Sequence, residues 1–311
     1  MSLQTLPVEL CLEIASYLPL RDLILFRNAS GRLRSVINAN IASIRPTARQ
    51  NLLRLWDRVI TSLCFLPSRP HIVPHLRGFD RHAFISSFQY EGKQLQLPAE
   101  FETWILEWPA KATIGWAWPG LDQGPYLGLG HDYYSAYYQH PWWRLPGQNP
   151  FSNPERGAAS CVYLFTGLHP SGQVVEGNAS TVVWRFEYDS ERRLNVTEDA
   201  SQLGFGFPVW AVLPGGLGRW YGIGHMLILS GLGPGYDGSV QLFDEGYNYD
   251  MVGPPGELFI TDNPGADIWH NSRTHALFRG QSWTDWLRKH LEVLEKAYLK
   301  EVERHPILAI F

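Results

Sequence analysis

Lysine is absent from the first 82 residues of this 311-residue chain, and cysteine occurs only three times in all. No apolar run approaches the roughly 18 residues that a membrane-crossing helix requires. Three cysteines (Cys11, Cys64, Cys161), an odd number with no close pair, argue against a disulfide framework or a zinc knuckle. The first residues show no charged leader followed by an apolar stretch, so no secretory signal is expected and the address reads as cytoplasm or nucleus. On that reading the Asn-x-Ser/Thr triplets at Asn28, Asn178 and Asn195 are chance matches. Charged residues are also modest, at 18% against 45% hydrophobic, which excludes a disordered chain.

What is abundant excludes a further class. Twenty-nine Gly and 22 Pro argue against a coiled coil or an all-helical bundle. The charge is uneven: residues 1–82 carry 11 Arg against 5 acids, a balance of +6, and residues 83–311 carry −10. Such asymmetry predicts two parts with different jobs. The arginines are interspersed with apolar helix positions, not gathered in a run, so no nucleic-acid partner is expected.

Residues 5–45 read as short helices. Pro7 suits a first helical turn, Leu10, Ile14 and Leu18 recur at four-residue spacing, and Pro19 ends the helix. A second helix begins near Arg21-Asp22-Leu23, and Leu33, Val36 and Ile37 indicate a third. Three helices in so few residues make a very small core that needs a neighbour. Few contacts with the rest of the chain are expected. A helix over residues 49–66 and a Pro-rich connector from Pro67 to Gly78 follow, giving a module at 1–48, a linker at 49–82 and a second domain at 83–311.

In that second domain Pro98 and Pro109 bracket a helix over 98–107. Strand-like runs follow at Ala112–Trp118, Cys161–Thr166, Thr181–Tyr188, Val209–Leu213, His225–Leu229, Ser239–Asp244 and Glu257–Thr261. Ser282 with Asp285 three residues on predicts a helix start, and the apolar stripe Trp283, Trp286, Leu287, Leu291, Leu294, Tyr298 carries that helix towards Arg304. Helix, strands, helix is an α+β order with a mainly antiparallel sheet and a long C-terminal helix.

Candidate chemistry is sparse. Ser230-Gly231-Leu232-Gly233-Pro234-Gly235 lacks the Gly-Lys-Ser/Thr of a phosphate loop and precedes a strand-like run, so it reads as a turn between strands. Ile228 stands where a nucleophile elbow needs its first Gly. His270 and His275 are five apart, with Asp262 and Asp267 near, and read as loop polar residues; no metal or cofactor is expected. Cys161 opens an apolar run as a structural thiol, and Asp244, Glu245 and Asp250 read as a solvated turn. No set supplies nucleophile, base and orienter together, so the chain does not read as an enzyme.

One segment is unusual. Trp116, Trp118, Tyr126, Tyr133, Tyr134, Tyr137, Tyr138, Trp142 and Trp143 crowd into 28 residues with Gly and Pro between them. Such rings build cores, and on a Gly/Pro-rich loop they also build recognition surfaces. Trp116, Trp118, Tyr133, Trp142 and Trp143 are the candidates for target binding.

The run Leu6-Pro7-x-Glu9-Leu10-x-x-x-Ile14-x-x-Tyr17-Leu18-x-x-x-Asp22-Leu23, followed by Arg27, Ser30 and Arg34, resembles the F-box, most closely that of fungal F-box proteins. The resemblance implies docking on the adaptor Skp1 of a cullin–RING ubiquitin ligase through Leu6, Pro7, Leu10, Ile14, Leu18 and Leu23. Separately, Glu91-Gly92, Leu97-Pro98-Ala99-Glu100-Phe101, Trp104-Ile105-Leu106 and Ser282-Trp283-Thr284-Asp285-Trp286-Leu287 resemble the two ends of the SMI1/KNR4 (SUKH) family. That resemblance implies a protein-binding domain. Together they imply a non-catalytic substrate receptor that raises the local concentration of a protein target. The alternative is an enzyme or small-ligand binder using residues 116–143, with the first helices as scaffold. The two differ in one respect: a receptor exposes the Leu6/Pro7 face, and a scaffold buries it against residues 83–311.

Overall fold

A computed structural model of the chain describes residues 6–90, 92–121, 142–143, 163–166, 203–211, 223–230, 238, 240–244 and 281–305. These are helix-rich, with few strands and a long C-terminal helix. The first three helices are α1 (Val8–Tyr17), α2 (Leu20–Asn28) and α3 (Gly31–Ala39). Pro7 and Pro19 sit at the N-caps of α1 and α2, where a missing N–H costs nothing. Ser30 caps α3 by accepting from Leu33 N–H at 3.1 Å.

Helix α4 (Thr47–Ile60) follows a 3₁₀ turn at Ile41–Ser43 and buries Leu52, Leu53, Leu55 and Val59. The expected single helix over 49–66 instead breaks after Ile60. Helix α5 (Phe65–Ile72) occupies much of what the prolines mark as a connector. Pro67 lies in the first turn of α5, where its lost donor is harmless, and Pro70 removes one bond from a helix only eight residues long. The apolar anchors Ile72 and Cys64, both buried, offset that loss.

Helix α6 (Arg81–Ser86) leads through the two-residue strands β1 (Gln89–Tyr90) and β2 (Lys93–Gln94) to α7 (Ala99–Glu107). The expected strand at Ala112–Trp118 does not form. That stretch begins in a 3₁₀ turn at Ala110–Ala112 and continues as an irregular, buried run. Gly115 there takes φ +54, a left-handed conformation that no strand continues through. A Cβ at that point would also meet Leu294 Cδ1 at 2.7 Å.

Four longer strands, β3 (Tyr163–Thr166), β4 (Leu203–Ala211), β5 (Ile223–Ser230) and β6 (Val240–Asp244), pair antiparallel in sequence order. The described β3 ladder ends opposite Gly206, so among the described residues Pro208 has a strand neighbour only on the β5 side, and the register shifts just beyond it. Residues 181–188 and 257–261, expected as strands, lie outside the described residues. The chain closes with α8 (Trp283–Arg304). Ser282 accepts from Asp285 N–H, and Asp285 accepts in return from Gln281 N–H at 3.0 Å, a reciprocal cap shifted by one residue from the usual form.

The core is aromatic. Trp104 on α7 meets Trp118 at 4.8 Å and Trp283 on α8 at 5.0 Å, mostly edge to face, and Phe101 meets Trp283 at 5.1 Å. One continuous cluster joins these rings to Ala15, Leu20 and Leu23 of the first helices and to Val209, Leu227 and Val240 of the sheet. The first helices are therefore fused to the body, against the expectation of few contacts.

Candidate functional site

The first helix is amphipathic in an inverted sense. Its buried residues are the small Cys11 and Ala15, four apart, which let α1 sit close on its neighbours. The large apolar residues point away: Leu10 is 45% exposed, Ile14 37% and Tyr17 79%. Positions 10, 14 and 17 share one face of a 3.6-residue helix. Pro7 and Val8 are exposed beside them, Leu6 and Leu18 are half-buried, and Leu25 of α2 is 61% exposed. Of the stripe read as Leu10, Ile14 and Leu18, the first two therefore face outward, and Leu18 packs against the core. Leu23, expected at the adaptor surface, is fully buried. It props α2 from within and offers no contact to a partner.

Charged side chains, one of them buried, brace this face from behind. Arg27 of α2, only 3% exposed, ion-pairs with Asp57 of α4 and reaches Asn38 Oδ1 at 3.4 Å. Arg32 Nη2 donates to Leu6 carbonyl at 2.6 Å and pins the segment leading into α1. Glu107, at the end of α7, accepts from Leu20 N–H at 2.7 Å and from Arg49 at 2.7–3.2 Å, while Arg49 also donates to Ser16 carbonyl. A carboxylate from the body therefore caps the N-terminus of α2, where exposed N–H groups favour negative charge.

Two further glutamates link elements, one of them also as a helix cap. Glu100 caps α8 by accepting from Thr284 N–H at 2.9 Å, and takes a bond from Asn51 of α4 at 2.6 Å. Glu295 of α8 ion-pairs with Arg58 and accepts from Ser62 at 2.6 Å. Burial alone would raise the Glu295 carboxyl, but its bonds from Arg58 and Ser62 outweigh that and hold it below its ordinary value. The sequence signal for these latches was present in α7, where Glu100 and Glu107 stand seven apart and share a face. Arg49 and Asn51 as their partners carry no local signal.

The aromatic candidates divide. Trp116 and Trp118 are 3% and 0% exposed and belong to the core, so they are not target contacts. Tyr133 lies outside the described residues. Trp142 and Trp143 are half-buried: Trp143 stacks flat on His71 of α5, with centroids 5.2 Å apart, and Trp142 rests on Tyr298 of α8 at 4.7 Å. A cavity of about 10 Å³ beneath them, lined by Val59, Cys64, Arg69, Thr113 and Leu294 among others, has room for about one water and no ligand.

Among the described residues no group of three metal-ligating side chains comes together, and no helix is long and apolar enough to cross a membrane. Cys11 and Cys64 are free and buried, and burial, the main cause, pushes the Cys64 thiol up. Cys161, His270, His275, Asp262 and Asp267 lie outside the described residues, as do Glu245 and Asp250. Asp244 ends β6. Ser230 ends β5, and the next described strand, β6, pairs back antiparallel on β5.

Comparison of the chain with protein-family models, with curated proteins and with solved structures returns no match.

Proposed function

We propose that the chain is the substrate-recognition subunit of a Skp1–cullin–F-box ubiquitin ligase. Its first helices dock on the Skp1-type adaptor, and residues 83–311, read as an α+β domain similar to SMI1/KNR4 proteins, capture a protein target. The supporting observation is the outward face of α1. Large apolar residues at 10, 14 and 17 stay in solvent while small ones at 11 and 15 fill the core. Leaving this much apolar surface uncovered is costly for a free protein and favourable for one that buries it on a partner. Of the Leu6/Pro7 face, which a docking surface needs exposed and a mere scaffold would hide, Pro7 is exposed and Leu6 half-buried. The fused core gives the adaptor-facing helices a fixed orientation relative to the target-binding part, which suits a subunit that must hold a target in place.

Purified chain mixed with Skp1 should form a complex on gel filtration, and Leu6→Ala with Pro7→Ala should abolish it or weaken it strongly. Leu10→Asp with Ile14→Asp, which changes only exposed positions, should do the same without altering the thermal melt. Absence of a complex with the unsubstituted chain would sink the proposal.

A further inference from the structure

A second exposed apolar strip lies away from α1, on the segment entering α5. Leu63, in the turn before α5, is 63% exposed, and Leu66 on α5 is 73% exposed, with Arg69 three residues further along the same helix face as Leu66. Arg69 is the central observation. Its guanidinium lies over the Phe65 ring at 4.5 Å and donates only to neutral acceptors: Lys111 and Thr113 carbonyls at 2.8 and 2.9 Å, Ser68 Oγ and Phe65 carbonyl. Among the described residues no carboxylate pairs with it. Burial lowers Arg69 to about 10, so it remains a full cation at neutral pH. Exposed Lys111 and exposed His71, the latter stacked on Trp143, flank it.

A half-dry cation fixed by its own backbone bonds, with no counter-charge among the described residues, has already lost much of its hydration and its freedom. A carboxylate reaching it gains a charge-assisted bond at small ordering cost. The neighbouring leucines supply apolar area that a phosphate backbone cannot use, and nucleic-acid binding draws on many cations in a row, which this site lacks. From these features we infer that the surface made by Leu63 before α5 and by Leu66 and Arg69 on it, bordered by Lys111 and Trp143, docks an acidic peptide segment carrying apolar residues. The inference rests on the receptor reading only in naming that segment as part of a target.

The test uses the full chain and a fluorescein-labelled peptide alternating Glu with Leu and Phe, read by anisotropy. The same peptide with Lys for Glu, and a labelled single-stranded oligonucleotide, are run beside it. The acidic peptide should bind saturably and more weakly as salt rises, and Leu66→Asp with Lys111→Glu should weaken it at least about tenfold. Leu63→Asp, also at an exposed position, should reproduce the loss, and melts of both variants check that folding is intact. Equal binding by folded variants, tighter binding of the Lys peptide or the oligonucleotide, or no binding of the acidic peptide would each overturn the inference. Skp1 binding is measured on the same preparation: its absence beside intact peptide binding defeats the receptor reading and leaves this surface standing.

Discussion

The first helices and the tryptophan-rich body solve burial in opposite ways. In α1 the residues inside are Cys11 and Ala15 and those outside are Leu10, Ile14 and Tyr17. In the body the residues inside are the largest the chain has: Trp104, Trp108, Trp118, Trp283 and Trp286 are all essentially without solvent contact. Large indole rings fill the core here, whereas the exposed apolar face of α1 is made of Leu10, Ile14 and Tyr17. A helix that buries small residues gains close approach and leaves its large ones in solvent. A body with interleaved Trp on α7 and α8 gains edge-to-face contacts that fix the angle between those helices.

The sharpest way to break that comparison is to delete a ring. Trp104→Ala removes a side chain that touches Phe101, Trp118 and Trp283. Large aromatic truncations in cores cost about 3–5 kcal/mol, enough to remove cooperative unfolding from a domain of ordinary stability. A urea melt of Trp104→Ala that stays as stable as the parent would show that the body is not built around these rings.

The next effect tests the join between the two regions. Glu107→Ala leaves Arg49 and Leu20 N–H without their carboxylate, and the side chains of Arg49 and Glu107 are only 18% and 16% exposed. Losing a charged hydrogen-bond partner in such a place costs about 1.5–3 kcal/mol. Unfolding followed by a probe on α2 and by tryptophan fluorescence should stay coincident in the parent and separate in Glu107→Ala. Coincident, unshifted transitions in the variant would mean that the core, not the carboxylate, holds the first helices.

Why some of this was legible and some was not follows from range. The start of α8 was readable because Ser282 and Asp285 form a cap within one turn, and α7 because prolines bracket it. Four strand-like runs reappear among β3–β6, each with shifted ends, because apolar alternation is local. The run at 112–118 misled for the same reason: its apolar letters describe burial, while Gly115 at positive φ and the 3₁₀ turn decide its path. At the candidate site the apolar spacing of α1 was visible, but which face turned outward was not. That choice is made by Cys11 and Ala15 fitting against neighbouring helices. Likewise Trp118 is packed by Trp104 of α7 and by Phe79, and Trp116 by His75 and Trp143, none of them its neighbours in sequence.

A smaller, pH-dependent effect belongs to the body alone. His290 of α8 is fully buried near Trp286, and burial lowers its pKa to about 3. Between about pH 6.5 and 3 the unfolded chain binds a proton there that the folded chain does not, so stability falls as pH falls, by up to ~1.4 kcal/mol per unit. The Glu295 carboxyl, held below its ordinary value, adds its own loss only at lower pH, from its unfolded value of 4.5 downward. Between pH 6.5 and 5 the slope of stability should therefore flatten in His290→Leu. An unchanged slope would assign the acid sensitivity elsewhere.

The smallest effect on stability is expected at the most exposed ring of the first helices. Tyr17 is 79% exposed at the end of α1, and Tyr17→Ser removes area that the free protein leaves in water. Surface changes of this kind stay within about 0.5 kcal/mol, so the melting curve should overlay that of the parent. Complex formation with Skp1 should nonetheless weaken, because an aromatic side chain at a docking face supplies contact area that serine cannot. The pairing of the two results carries the argument. A residue that matters to folding and not to binding would place Tyr17 with the rings of the body, and the contrast between the two regions would then fail at its most exposed point.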